Sequence, residues 1–211
     1  MRMLAVAMNG IPFKTLPDQA WPESFYWWMD FVGSFLTFTK PQVRIGQAGR
    51  PGNDIAIMGD ISGQHADLIR GDSGVMLVAH SETTVNGKSG DNFLLHNGDR
   101  IKMRTVEMLY HQPVPWCSTA RLQLISKHRL PLAMDAILLL GSTCVVGPRT
   151  DAHIRTNAQG SLIISWYQGR PWVRGPGSLK IDGKDYEGVG PLTPTSEVRS
   201  PWGFFRWEPR K

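Results

Sequence analysis

Short runs of alternating apolar and polar residues follow one another along this chain, and glycine- or asparagine-containing turns separate them. Such alternation is typical of β-strands that are buried on one face. No segment keeps the 3.6-residue apolar period of an amphipathic helix for three turns. The pattern therefore predicts an all-β protein with little helix.

The clearest predicted element is an aromatic hairpin, with arms at residues 25–30 and 34–38 around a turn at Val32-Gly33. Asn-Gly steps at Asn86-Gly87 and Asn97-Gly98 mark further turns. The remaining predicted strands lie at residues 43–46, 55–58, 66–70, 75–79, 92–95, 99–103, 106–111, 120–126, 136–140, 143–147, 162–167, 171–174, 179–181 and 204–208.

Two prolines in Gln112-Pro113-Val114-Pro115 indicate an extended connection, because proline cannot donate a hydrogen bond within a sheet. We therefore expect an arm at residues 1–22, a domain at 23–113, a linker at 114–117 and a second domain at 118–211. The halves share two short patterns, which indicates a duplication. They are Val43–Gln47 with Cys144–Pro148, and Val85–Lys88 with Ile181–Lys184.

Composition narrows the functional classes. The net charge is +5 with no Lys/Arg-rich block, so a nucleic-acid partner is not expected. No apolar run approaches the roughly 20 residues of a membrane span, and the apolar stretch 3–8 is short for a secretion signal, so we expect a cytoplasmic protein. Cys117 and Cys144 are expected to be buried thiols, and no Cys/His spacing fits a metal site.

Two motif matches do not fit their surroundings. Gly71-Asp72-Ser73-Gly74 is similar to a serine-protease nucleophile loop, but the segment fits a hairpin turn and no triad accompanies it. Gly87-Lys88-Ser89 is similar to the end of a phosphate-binding P-loop, but Glu82 stands where that motif needs glycine. We therefore expect no enzyme activity and no cofactor.

One ordered series of motifs remains. It consists of Gly46, Asn53-Asp54-Ile55, Ser62-Gly63-Gln64-His65-Ala66, Val85-Asn86-Gly87 and Leu95-His96-Asn97-Gly98-Asp99-Arg100-Ile101. The series resembles the forkhead-associated (FHA) domain over residues 25–113. The resemblance implies two tandem β-sandwich domains, the second a degenerate copy. It also implies loops that bind phosphothreonine peptides at one end of the first sandwich.

The resemblance assigns roles to individual positions. Ser62 matches the serine whose hydroxyl contacts phosphate, and Thr83 keeps the threonine of a second binding loop. Residues at the other contact positions are Gln47, where the family has arginine, and Ser81, where it has asparagine, with His80 before it. Arg50 is a candidate charge from the first loop. Structural roles are implied for Gly46, His65, Asn86 and Gly87.

Two functions follow from this resemblance. The first is a non-enzymatic interaction module that recognises a phosphothreonine peptide produced by a Ser/Thr kinase, without nucleic acid or membrane partners. The alternative is a phosphate-independent scaffold that keeps the fold and has lost the pocket. Gln47, Gly63 and Ser81 favour the alternative because they depart from the family at three contact positions. Selective, Ser62-dependent binding of a phosphorylated peptide distinguishes the two.

Overall fold

The computed structural model describes residues 21–72, 74–167 and 169–210, and these residues form β-strands and no helix. The all-β prediction is confirmed, while residues 1–20 and Ser73 lie outside the described part. The strands are β1 (Ser24–Met29), β2 (Gly33–Phe38), β3 (Gln42–Gln47), β4 (Ile55–Ile57), β5 (Ala66–Arg70), β6 (Val75–Ala79), β7 (Thr83–Val85), β8 (Lys88–Ser89), β9 (Asn92–Leu94), β10 (Arg100–Met103), β11 (Val106–His111), β12 (Ala120–Leu124), β13 (Ala136–Leu139), β14 (Thr143–Gly147), β15 (Ile154–Arg155), β16 (Leu162–Tyr167), β17 (Arg170–Ile181), β18 (Lys184–Pro191), β19 (Glu197–Ser200) and β20 (Gly203–Pro209).

A β-sandwich forms the first half of the molecule. One of its sheets has the strand order β4-β3-β5-β6-β9, and the other contains β13-β12-β11-β10-β7-β8. Alternate residues of the two sheets point inward and pack into a first core. Phe38, Ile45, Leu68, Leu77 and Tyr110 are among its largest fully buried side chains.

A second core lies among strands β14–β20 and is rich in aromatic residues. The Trp27 ring lies 5.5 Å from the rings of Phe205 and Trp207. Trp27 reaches this core because β1 pairs with β20, with Trp27 opposite Trp207. The predicted aromatic hairpin is confirmed, and its first strand lies beside the strand at the opposite end of the chain.

Strands β2 and β13 join the two cores. They pair in parallel, with Leu36 beside Ile137. Leu36 and Ile137 belong to the first core, whereas Phe35 and Leu138 belong to the second. Because successive side chains of a strand point to opposite faces, each of these strands is buried on both sides. This accounts for the uninterrupted apolar sequence of β13.

The sheet does not stop at the predicted linker. Strand β12 pairs with β11, with Met108 opposite Leu124, and β13 pairs with β12. Leu122 and Ile137 therefore contribute to the first core although they follow residue 113. The domain division at residues 114–117 stays a prediction, and the pairings favour a first unit that includes β13.

One backbone arrangement occurs in both halves. Strand β3 pairs in parallel with β4 and antiparallel with β5, and β14 pairs in the same two ways with β15 and β16. In the first half the amide of Arg44 donates to Asp54 at 2.9 Å. In the second half the amide of Val145 donates to His153 Nδ1 at 3.0 Å. His153 therefore occupies the place of Asp54.

A second correspondence lies in the hairpin turns. Asn86 and Asp182 both have positive φ, at 51° and 50°, and each is followed by a positive-φ glycine. The Asn86 side-chain oxygen accepts from the Arg100 amide at 2.9 Å. The Asp182 carboxylate accepts from the Glu197 amide at 2.8 Å. Both halves therefore have the same positive-φ turn, and in both the first turn residue accepts a hydrogen bond from a backbone amide distant in sequence.

Candidate functional site

Three loops meet at one end of the first sandwich. They are the β3–β4 loop (residues 48–54), the β4–β5 loop (58–65) and the β6–β7 loop (80–82). The amide of Gln47, the last residue of β3, donates to the Ser62 carbonyl at 3.1 Å, which joins the strand end before the first loop to the second loop. The His80 amide donates to the His65 carbonyl at 2.8 Å, which joins the second to the third.

His65 clamps the second loop to the third. Its side chain is fully buried. The Ser62 amide donates to Nδ1 at 3.2 Å, so Nε2 carries the proton and faces the Glu82 carbonyl at 3.1 Å and the Thr83 hydroxyl at 3.2 Å. Burial lowers the pKa of His65, so the neutral ring is favoured. The predicted structural position of His65 coincides with this junction.

Asn53 ties the first loop to the second. Its amide nitrogen donates to the Gly63 carbonyl at 2.6 Å and to the Gln47 carbonyl at 3.1 Å. Gly46 lies against the same groups, because a Cβ placed there would be 2.1 Å from the Gly63 oxygen and 2.4 Å from Asn53 Oδ1. Only glycine leaves room for this close approach, and the structural role implied for Gly46 stays a prediction.

Ser62 and Arg50 are two polar residues of this loop cluster whose side chains are available to a ligand. Ser62 is half-buried, and its hydroxyl makes no hydrogen bond among the described residues. The exposed Arg50 packs its stem beside Gly63, since a Cβ on that glycine would be 3.5 Å from Arg50 Cγ. Gln47 lies in the same cluster, but its side-chain amide is turned toward the Gly59 carbonyl, 3.4 Å away.

Ser81 and Thr83 belong to the scaffold of the third loop. Thr83 is only 2% exposed, and its hydroxyl donates to the Ser81 carbonyl at 2.9 Å. Its oxygen also lies against the His65 ring. Ser81 itself is half-buried beside this contact. The arrangement makes Thr83 a residue that positions the loop, and it leaves the Ser81 side chain nearer to solvent.

The His80 side chain is held by a charged network that the sequence did not reveal. Its Nε2 lies 3.1 Å from a carboxylate oxygen of the buried Asp67. Asp67 also accepts from Arg44 Nε at 2.9 Å and from Gln42 Nε2 at 3.0 Å. Burial alone would raise the pKa of Asp67, but the hydrogen bonds from Arg44 and His80 outweigh it and lower that pKa. The sequence holds one indication of this network, the acidic Asp67 within the otherwise mainly apolar strand β5.

Among its described residues, the second half has no counterpart of the third loop. Strand β17 runs through the place equivalent to β6 and β7, with only an irregularity between Arg174 and Ser178. The β15 segment is two residues long. This half therefore offers no cluster of three loops like that of the first.

No group of three or more His, Cys, Asp or Glu side chains within the described ranges could hold a metal ion. Cys117 and Cys144 are buried and free, as predicted. In the part of the chain that the structure covers, no helix is long and apolar enough to cross a membrane.

The comparisons with known proteins agree with the loop geometry. The family model of the FHA domain matches residues 43–104, which run from β3 to the end of β10 and include all three loops. The chain contains an FHA domain. FHA domains are phosphopeptide-binding interaction modules of β-sandwich fold, rather than enzymes. The predicted FHA resemblance and sandwich fold are therefore confirmed.

Among solved structures, the chain is similar to the FHA-2 domain of an ABC transporter from Mycobacterium tuberculosis. The identity is 24% and the TM-score is 0.35, and the match covers 60% of this chain and 97% of the other. No curated protein matches the chain.

Proposed function

We propose that the FHA domain recognises a phosphothreonine peptide through its three loops, with the Ser62 hydroxyl and the Arg50 guanidinium on the phosphate. The observation that carries this proposal is the Ser62 hydroxyl, which makes no hydrogen bond among the described residues, next in sequence to Gly63, against which the exposed Arg50 packs. Asn53 and His65 fix these loops. Hydroxyls, backbone amides and an arginine on rigid loops are suited to bind phosphate.

The remaining candidates take supporting roles in this proposal. Gln47 and Ser81 flank the phosphate position and contact the peptide backbone, and Thr83 keeps the third loop in place. His80 assists from the edge of the site, where its Nε2 lies beside Asp67. The partner is a protein phosphorylated by a Ser/Thr kinase, encountered in the cytoplasm.

Peptide binding tests this function directly. A degenerate phosphothreonine peptide library is compared with its unphosphorylated counterpart, using the wild-type chain and Ser62→Ala. Loss of one hydrogen bond to a charged group weakens binding by about tenfold or more. Ser89→Ala is the matched control, because Ser89 is exposed on β8, outside the three loops. Equal binding by Ser62→Ala and wild type removes Ser62 from the site.

The alternative is phosphate-independent docking, and one observation favours it. Ile69, Met76 and Leu94 lie side by side on β5, β6 and β9 and are 41%, 43% and 59% exposed. They line a cleft with Pro115. An exposed apolar row of this kind suits a protein partner. Phosphate-independent capture that Met76→Lys abolishes, with no phosphopeptide binding, would favour this function.

We also infer that the second half is a degenerate duplicate of the FHA domain. The support is the shared β3/β14 pairing, the Asn86 and Asp182 turns, and the matching hydrogen bonds at Asp54 and His153. The absence of an equivalent third loop among the described residues assigns it a supporting role. Its strands pack against the FHA unit and do not bind the peptide.

A further inference from the structure

An apolar cleft lies at the end of the first sandwich that is opposite the three loops. It is the cleft lined by Ile69, Met76, Leu94 and Pro115, and its volume is about 540 Å³. The turn between β5 and β6 lies at this end, whereas the loops lie at the start of β5 and the end of β6. A row of exposed apolar side chains along a cleft is typical of a docking surface.

The apolar cleft also borders the edge of a sheet. Strand β9 is the last in the order β4-β3-β5-β6-β9, and among the described strands it pairs with β6 alone. Native proteins usually cover such an edge or make it polar. Leu94 of β9 instead exposes 59% of its surface. The edge and the apolar row therefore fit an apolar segment of chain that lies along them.

The start of the described chain is connected to one side of the apolar cleft. The Pro22 carbonyl accepts from the Thr39 hydroxyl at 2.9 Å. The Thr39 carbonyl accepts in turn from the Arg70 guanidinium. Arg70 stands in sequence between Ile69 and Gly71, which both line the cleft. Two hydrogen bonds thus connect Pro22 to the rim of the cleft.

A second series of contacts reaches another part of the cleft lining. The ring centroids of Trp21 and Trp166 lie 5.2 Å apart. The Trp166 amide donates to the Ser142 carbonyl at 3.0 Å, and the carbonyl of the next residue accepts from the Cys117 thiol at 3.2 Å. The Cys117 carbonyl accepts at 3.0 Å from the side-chain amide of Gln112, which lines the cleft. The chain therefore enters the described structure close to the apolar cleft.

The segment before residue 21, which lies outside the described residues, has a composition that suits this cleft. Residues 1–16 carry Arg2 and Lys14 and no Asp or Glu. The described lining residues of the cleft include Asp72 and no Lys or Arg. The segment and the cleft are thus complementary in charge as well as in apolar character. The larger apolar residues of the segment are Met3, Leu4, Val6, Met8, Ile11, Phe13 and Leu16.

The segment is also long enough to reach the cleft. Phe13 precedes Trp21 by eight residues, and eight extended residues span at most about 28 Å. The path from Pro22 to the rim passes through one threonine and one arginine side chain, which is shorter than this span. Phe13 and the residues before it can therefore enter the cleft of their own chain.

We infer that residues 3–16 dock in the apolar cleft of their own chain, with Phe13 as the main anchor. Aromatic side chains often anchor such contacts because they bury a large apolar surface. The docked segment covers Ile69, Met76 and Leu94 together with the edge of β9. A protein that binds this row must displace the segment, so residues 3–16 regulate access to the cleft.

A spin label on the segment tests this docking in the full-length chain. Asn9→Cys carries a nitroxide, because both native cysteines are buried, and wild type treated with the same reagent is the blank. Methionine methyl resonances are the reporters. Broadening of Met76 is expected without broadening of Met58, which is similarly exposed but lies in the β4–β5 loop at the opposite end. No broadening of Met76, or equal broadening of Met58, overturns the inference.

Substitutions separate docking from the mere proximity of a tethered segment. Phe13→Ser in the labelled chain is expected to weaken docking by about tenfold or more, because it removes the anchor. Leu94→Lys is expected to act in the same way from the side of the cleft. Ile163→Lys is the matched control, because Ile163 is an exposed apolar residue of β16 that is not among the lining residues. Broadening of Met76 that persists in Phe13→Ser and Leu94→Lys overturns the inference.

A mixed sample distinguishes the chain's own segment from that of a second copy. Spin-labelled chain without ¹³C is mixed with ¹³C-methionine chain that carries no spin label. No broadening of Met76 in this mixture is expected, and broadening there assigns the cleft to a second copy and overturns the inference. The inference does not rest on the proposed peptide function, and Ser62→Ala is expected to leave the broadening of Met76 unchanged.

Discussion

At the scale of single residues, a few buried polar side chains decide whether the loops can form a site. His65 has no exposed surface and bridges the second and third loops through both ring nitrogens. The side-chain amide of Asn53 connects the first and second loops, because it donates to the Gln47 and Gly63 carbonyls. These residues touch loop backbones, so they act by positioning Ser62 and Arg50.

Replacing His65 is therefore expected to lower both stability and binding. His65→Ala leaves the Ser62 amide and the Thr83 hydroxyl with fewer partners, and an unsatisfied buried group costs about 1–3 kcal/mol. Urea unfolding measures the free-energy change, and Gln64→Ala at the exposed neighbouring position is the control. A stability equal to that of the control would show that the clamp contributes nothing.

Acid is expected to destabilise the protein through its buried histidines. Burial lowers the pKa of His65 and lowers that of His153 from 6.5 to about 4. Below pH 6.5 these histidines bind protons in the unfolded chain but not in the folded chain. Their contribution to the free energy of unfolding is therefore complete above pH 6.5 and decreases as the pH falls toward 4. His153 alone accounts for about 3 kcal/mol.

Urea midpoints at pH 7.5, 6, 5 and 4 measure this loss. In His153→Gln the decline between pH 6.5 and 4 is expected to be shallower, because glutamine takes up no proton. A pH profile identical to that of the wild type would contradict the assignment of the decline to His153.

At the scale of elements, close contact between loops requires glycine at one strand end. Gly46→Ala places a methyl group against the Gly63 carbonyl and Asn53, whereas Gly49 has nothing within 4 Å of the added atom. The loops must separate in the first case only. We expect Gly46→Ala to lose at least about 2 kcal/mol of stability, together with phosphopeptide binding.

In the control variant Gly49→Ala the added methyl group has no neighbour within 4 Å. The cost comes from backbone strain alone, because the φ of Gly49 is +83°. A cost of about 1 kcal/mol is expected for it, with peptide binding kept. Chemical denaturation and the peptide assay together give both quantities. Equal effects of the two variants would show that loop contact at Gly46 is not limiting.

The bounds of the strands show which elements the sequence pattern predicts and which it misses. Strands β5, β6, β11, β14 and β16 have the predicted bounds, because each alternates or forms a plain apolar run between turn residues. Strand β18 was missed, because Lys184–Pro191 is rich in glycine and charge. Among the described strands it pairs with β17 alone. Strands β7, β8 and β15 are two or three residues long, which is too short to show an alternation of apolar and polar residues.

At the scale of the whole molecule, β2 and β13 make the two cores depend on each other. We expect one unfolding transition for both. Tryptophan fluorescence reports on the second core through Trp27 and Trp207, and methionine methyl resonances report on the first through Met103 and Met108. Their urea midpoints are expected to coincide.

Neighbouring residues of β13 sharpen this test. Ile137→Ala removes packing from the first core and Leu138→Ala from the second, each at a cost of about 2–5 kcal/mol. Either variant is expected to lower the midpoints of both probes equally. A variant that moves only the probe of its own core would show that the halves unfold independently.

The sequence by itself determined the local structure: the strands, the Asn86-Gly87 turn, the aromatic hairpin and the order of the FHA motifs. These depend on patterns within a few residues. The tertiary structure alone decided which strands meet. Trp28 donates to Glu208 at 3.0 Å across a separation of 180 residues, and no local period encodes such a pairing. The Asp67 network likewise joins residues that are far apart in the chain, because these side chains meet only after the sheets have packed.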